Sequence, residues 1–178
     1  MKGTIAYLED ELGLIVNRDK SRVAPIKEIT FLGVQLLRGK IRVSTKAQTR
    51  FKDRVRALTR WNNPLSMYQV IQELNNYLRG WIGYFGIQEF NYLFRNLDAW
   101  IRSRLRSTQL KKWKKPGKFQ RIMIKAGFDP QAARRVWLKM NRWQSVMRPP
   151  VRFVMNLAWF RARGLVFLHD FTIAFSRA

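Results

Sequence analysis

The chain contains no cysteine and one histidine, His169. A zinc finger, a zinc deaminase or a Cys/His catalytic pair cannot be assembled from that composition. Acids are scarce: 11 Asp and Glu stand against 35 Lys and Arg, a formal net charge of +24 over 178 residues. Such an imbalance strains a compact fold by self-repulsion unless a polyanion shares the surface, so nucleic acid or an anionic membrane is the implied partner class. Long apolar runs are missing too. The charge-free stretch 62–72 is partly polar and falls short of the roughly 18–20 residues a membrane helix needs. Glu9, Asp10 and Glu11 arrive before the apolar core of a signal peptide could form, and the expectation is a soluble intracellular protein without membrane contact.

Apolar residues are nevertheless plentiful. At 47% hydrophobic content the chain can bury a core, and its length allows one domain or two small ones. The charge is distributed unevenly: six of the eleven acids (Glu9, Asp10, Glu11, Asp19, Glu28, Asp53) lie in the first third. Between Ala99 and Arg163 Asp129 is the only acid, whereas Arg102, Arg104, Arg106, Lys111, Lys112, Lys114, Lys115, Lys118, Arg121, Lys125, Arg134 and Arg135 begin a long basic tract. A polyanion is therefore expected to sit mainly on the C-terminal half.

Residues 5–12 read as a helix end stopped by Gly13. Segments 29–37 and 40–44 are rich in β-branched and apolar residues and flank Arg38-Gly39, which predicts a β-hairpin. From Ser44 onward the period becomes helical. Thr45 with Gln48 suggests a capping box before Phe51, Val55 and Leu58, and Ser66 with Gln69 repeats it before Val70, Leu74, Tyr77, Leu78, Trp81 and Phe85. Phe90, Leu93, Phe94, Leu97, Ile101 and Leu105 make a third stripe, so 46–109 is expected to form a three-helix bundle. Lys111 to Lys118, KKWKKPGK, reads as a basic connector broken by Pro116-Gly117. Asp129-Pro130 predicts a helix start, and Pro149-Pro150 a last helix ended by Gly164. The fold class expected is α+β, mainly α.

The second stripe contains NNYLRGWIGYF, with Gly80 and Gly83 in a helix interior. Each glycine costs about 0.5–1 kcal/mol relative to alanine there, so close approach of a neighbouring helix or of a nucleic-acid backbone is the expected return. Arg79, beside Gly80, either reaches that ligand or caps a core.

Leu78, Arg79, Gly80, Trp81, Tyr84 and Phe85, followed by LDAWIRSRLR at 97–106 and the basic KKWKK, resemble the maturase-specific (X/thumb) domain of group II intron-encoded proteins. Upstream, LGLIVNRDKSRV at 12–23 and FLGV at 31–34 are similar to the last palm blocks of the reverse transcriptase that precedes the thumb in that family. The resemblance implies a palm remnant at 1–44, a thumb bundle at 45–109 and a basic helical extension at 110–178. It implies an RNA-binding protein that stabilises its folded intron for splicing, cytoplasmic in a bacterium or organellar in a eukaryote.

The family's metal-binding aspartate pair, carried on a YADD-like block, is not among these residues, nor are the fingers or the Cys/His-rich nuclease module of some relatives. Glu9, Asp10 and Glu11 are consecutive on a helix and point in different directions, so they do not converge on two metal ions. Lys20 occupies a palm-block position where such polymerases keep a phosphate-contacting lysine, but here it reads as a surface residue. His169 reads as an ordinary surface residue. The expectation is therefore no catalytic residue, no metal and no cofactor.

RNA contacts are expected from Arg79, Arg102, Arg104, Arg106, Lys111, Lys112, Trp113, Lys114, Lys115, Lys118, Arg121, Lys125, Arg134 and Arg135, where cations neutralise phosphates and an aromatic such as Trp113 stacks on a base. Trp137 and Trp143 accompany further bases, with core packing as the competing role. Structured intron RNA is the expected partner; a DNA target, a separate reverse-transcriptase fragment or a second copy of the chain are further ones. The competing readings are the thumb end of an active reverse transcriptase and a general basic binding module. Broad apolar stripes, in place of one basic amphipathic face, disfavour a membrane-surface version of the latter.

Overall fold

The computed structural model describes residues 2–17, 24–25, 29–37, 39–60, 62–89, 91–113, 116–138 and 146–175. It is mainly helical with one small antiparallel sheet. The first helix, α1 (Lys2–Ala6), continues into a π turn, Tyr7–Glu11, and Gly13 at φ +60° ends it as expected. Apolar side chains around it stay in solvent, with Ile15 98% exposed.

Three strands follow: β1 (Thr30–Phe31), β2 (Val34–Leu37) and β3 (Lys40–Val43). The expected strand 29–37 is thus broken in two. Phe31 pairs with Val34, and the two residues between them, Leu32 and Gly33, have φ of 49° and 81°. Both central residues of this tight turn are left-handed, as a two-residue hairpin of the right twist requires. Glycine is needed at 33 for a second reason: a Cβ there would lie 3.2 Å from the Phe85 ring. The uncommon left-handed leucine is held by its carbonyl, which accepts from Tyr84 Oη at 3.0 Å.

Helix α2 (Thr45–Leu58) is capped by Ser44, one residue before the expected Thr45. Ser44 ends the extended run, and its Oγ accepts from Ala47 N at 3.3 Å while Gln48 Nε2 donates to Val43 O at 2.9 Å. Helix α3 (Met67–Phe85) starts with the predicted reciprocal box: Ser66 N donates to Gln69 Oε1 at 2.9 Å and Gln69 N to Ser66 Oγ at 3.2 Å. Helix α4 (Asn91–Lys112) outruns its expected end. The three apolar stripes meet through aromatics: Phe51 and Trp81 have ring centroids 4.4 Å apart, and Trp81 meets Phe94 edge-on at 5.8 Å. Around them Leu74, Leu78, Leu97, Ile101 and Leu105 are buried, each contributing about 1.5–3 kcal/mol of apolar transfer.

The C-terminal part is α5 (Pro116–Lys125), α6 (Pro130–Leu138), α7 (Pro149–Val154), α8 (Leu157–Arg161) and α9 (Leu168–Phe175). Pro116-Gly117 opens a helix where a break was expected, since proline is tolerated in the first turn. Asp129 starts α6 as predicted, its Oδ2 accepting from Ala132 N at 2.8 Å. The single last helix expected from Pro149 to Gly164 is two, because Asn156 leaves the helical path and caps α8 through Trp159 N at 3.0 Å. The core cluster runs continuously from Val43 to Leu168, across residues 109 and 110.

Two polar side chains fasten the C-terminal part onto the bundle. Asn75 donates to Gly164 O at 2.7 Å and accepts from Val166 N at 2.9 Å. Asp98 accepts from Leu168 N and His169 N, both at 3.0 Å, and so caps α9 from another helix. His169 is accordingly part of a docked helix start, and its Nε2 accepts from Arg95 Nε at 3.3 Å.

Burial raises the Asp98 carboxyl above its ordinary 3.8, while the His169 and Leu168 N–H groups and Arg102 pull it down. A folded pKa above the unfolded one means that the native state binds more protons just above pH 3.8. On acidification through that window, unaltered protein is therefore expected to gain stability relative to Asp98→Asn. Urea titrations of both proteins across the window measure the difference, and a difference that does not change with pH would contradict the assignment.

Candidate nucleic-acid interface

Sorting the predicted contact residues by what their side chains touch divides them into two groups. The first is committed to the fold. Arg106 is 7% exposed, and its Nε and Nη2 donate to Met155 O at 3.0 and 2.9 Å with the guanidinium 5.5 Å from the Phe160 ring centroid. Burial, then the neighbouring Arg102 and Arg152 charges, lower its pKa to about 10. Arg104 donates to Thr59 Oγ1 at 3.3 Å and Thr59 O at 3.2 Å, which closes the C-terminus of α2. Lys112 joins the Asn63 carbonyl, at 2.9 Å, and the Leu65 carbonyl, so it pins the α2–α3 loop to the end of α4. Arg102 is half-buried over the Phe167 ring at 5.8 Å.

Trp113 belongs to the same group. It is 5% exposed, 5.8 Å from Phe119, which in turn lies 5.9 Å from Trp137. These rings form a layer beneath α5 and α6, so Trp113 offers no face to a base. The basic connector of the sequence reading is instead the end of α4, a buried tryptophan and the start of α5. Lys114 and Lys115 lie outside the described residues, as do Lys20, Lys139, Arg142 and Trp143.

The second group faces solvent. Lys118, Arg121 and Lys125 are exposed at spacings of three and four along one face of α5, and Arg134 and Arg135 are exposed on α6. A reverse turn joins these helices: Gly127 at φ +89° passes its N–H to Ile124 O at 3.0 Å, and Phe128 N reaches Met123 O at 3.1 Å. That pair of hydrogen bonds ends a helix through a left-handed glycine. Asp129, the one acid between Ala99 and Arg163, caps α6, and its single charge is too little to balance the cations of the two helices. Lys111 is exposed on the last turn of α4.

Arg79 is exposed, and Gly80 and Gly83 beside it face outward: beyond the adjoining turns of their own helix, no atom of the described residues lies within 4 Å of where a Cβ would sit on either. Among the described residues no neighbouring helix packs against the glycines, which was one of their two expected uses. Next to them, a groove of about 520 Å³ opens between α2, α3 and the Leu32-Gly33 turn, lined among others by Phe51, Tyr77, Trp81, Tyr84, Lys46 and Arg50. Burial raises the Tyr77 phenol pKa above its usual value, and the charge of Arg54 opposes it. Lys46, Arg50 and Arg54 recur every four residues on the exposed side of α2. Their spacing was visible in the sequence but drew no attention, because the basic tract after Ala99 dominates the charge map.

A helical bundle bearing cationic faces that its own acids leave unneutralised is a polyanion-binding scaffold, and this is the class that fold and surface define. Residues 48–127 match the family described as group II intron, maturase-specific domain. The match is consistent with the C-terminal part of a maturase and supports a maturase role in group II intron splicing with intron RNA as partner. Comparison with curated proteins finds no match. Among the described residues no helix is long and apolar enough to cross a membrane, and no group of three or more His, Cys, Asp or Glu is placed to hold a metal ion.

Proposed function

We propose that the protein binds folded group II intron RNA through the exposed bases of α2, α5 and α6 and assists splicing by stabilising the ribozyme, making and breaking no bonds itself. One observation carries this reading: the maturase-specific match spans 48–127, the interval that holds Arg50, Arg54, Lys118, Arg121 and Lys125 in solvent. Splicing of such an intron is the RNA's own chemistry, so the protein's contribution is charge neutralisation and shape. On this division of labour, 45–109 forms the thumb-like bundle and 110–178 extends its cationic surface.

A second reading, the thumb end of a reverse transcriptase whose polymerase part is a separate chain, draws on a different observation. Phe31, Leu32 and Leu36 on the small sheet are exposed at 70%, 66% and 41%, an apolar surface of the kind a protein partner covers. A DNA target belongs to this second reading.

The test is equilibrium binding to a transcribed group II intron across a salt series. Log K is expected to fall against log salt by about 0.7–0.9 per phosphate neutralised. Affinity indifferent to salt, or equal affinity for heparin and for intron RNA, would count against recognition of folded RNA.

A further inference from the structure

The maturase reading does not explain why α3 presents two bare glycines to solvent beside an aromatic groove. Gly80 lies three residues after Tyr77 and four before Tyr84, so it borders the wall those two rings build. Gly83 and Arg79 lie progressively further round the helix, and Arg79, two residues from Tyr77, faces away from the groove. The surface therefore runs from an aromatic recess onto a position, Gly80, that carries no side chain.

Each part of that surface suits one component of a nucleotide. Tyr84 is 51% exposed and Tyr77 half-buried, while Trp81 and Phe51 close the floor. Tyr84 is also fixed in place, because its Oη donates to Leu32 O at 3.0 Å. Lys46 and Arg50 stand on the rim, and among the described residues no acid lines the groove. Its volume of about 520 Å³ lies within the range of small-ligand sites, roughly 300–1,000 Å³. A protein partner would find a side-chain anchor missing at Gly80, whereas a sugar-phosphate backbone needs that absence in order to come close.

We infer that this groove receives an unpaired RNA nucleotide, its base against Tyr77 and Tyr84, its phosphates on Lys46 and Arg50, and its strand passing over Gly80. The inference rests on the RNA-binding reading and narrows it to a single-stranded element. Base stacking on aromatic rings is sequence-tolerant, so the groove selects strandedness rather than a particular base.

Gly80→Leu tests this directly. A Cβ at position 80 would meet no atom of the described residues within 4 Å beyond the adjoining turns of its own helix, and leucine is the better helix former, so the variant is expected to fold at least as well as the parent. Two RNAs serve as probes for the full chain: a short oligouridylate carrying 4-thiouridine, and a perfectly paired hairpin without a single-stranded tail. The parent should crosslink to the oligouridylate at Tyr77, Trp81 or Tyr84. Gly80→Leu should lose about tenfold or more in oligouridylate affinity, and its hairpin affinity should stay within about twofold. Unchanged oligouridylate affinity, with hairpin binding intact, overturns the groove assignment while leaving RNA binding standing. Failure of the parent to bind either RNA overturns the RNA-binding reading itself. A parent dimer that Gly80→Leu converts to monomer, at constant oligouridylate affinity, gives the groove to a second copy and overturns the assignment.

Discussion

Replacing Lys118, Arg121, Lys125, Arg134 and Arg135 together by glutamine should cut affinity for group II intron RNA by about a hundredfold or more near physiological salt. All five side chains are exposed, and the bond recorded for Arg121 runs to the carbonyl of Gly117 on its own helix, at 3.2 Å. Removing them therefore withdraws phosphate contacts without opening a core. Exposed substitutions of this kind usually change stability by less than about 0.5 kcal/mol each. In a chain of net charge +24 the loss of mutual repulsion should work toward greater stability. The salt dependence is the sharper reading, since the slope of log K against log salt should become shallower by about 0.7–0.9 for every side chain that touched a phosphate. An unaltered slope would place the RNA elsewhere on the molecule. The same substitution across Lys111, Lys112, Lys114 and Lys115 is less informative. Lys112 holds the Asn63 and Leu65 carbonyls, and its loss would mix folding with binding.

Arg106→Ala is expected to have the largest effect on stability, a loss of about 2–4 kcal/mol. The substitution removes two hydrogen bonds to Met155 O and leaves that buried carbonyl unpaired, and it empties the space beside Phe160. Arg106→Lys should recover only part of the loss, because one ammonium cannot reproduce a planar fork on a single oxygen. Urea unfolding of the three proteins measures the order. The pH dependence has a defined sign. With the pKa lowered from its ordinary value to about 10, chiefly by burial, the folded state releases its proton before the unfolded chain does. Stability of the parent relative to Arg106→Met should accordingly rise as pH climbs above about 10 toward the ordinary arginine value. A urea midpoint unmoved in Arg106→Ala would mean that the buried fork contributes nothing to the native state.

These two predictions concern bases that look alike in the sequence and differ in their surroundings. Arg106 and Arg121 both sit in helices within the acid-poor tract. Only the bonding partner forty-nine residues away distinguishes the first. Helical periodicity states which side chains share a face, not which later segment covers it. For the same reason Trp113, flanked by lysines, could not be assigned to core or surface until α5 and α6 were seen to close over it.

Local chemistry was easier to read. The stripes of α2, α3 and α4, the Ser66-Gln69 box, the Asp129-Pro130 start and the Gly13 stop all depend on residues within a turn or two of one another, and the structure contains each of them. The Leu32-Gly33 turn is the local feature that escaped. Leucine at a left-handed position is disfavoured in isolation, and the contact that holds it comes from Tyr84, fifty-two residues on.

By itself the sequence determined a cationic, mainly helical protein with three amphipathic stripes, because charge, spacing and capping act over short separations in the chain. The tertiary structure decided which cations remain in water and what lies beside Gly80 and Gly83. Those outcomes depend on desolvation, and desolvation depends on how distant segments meet.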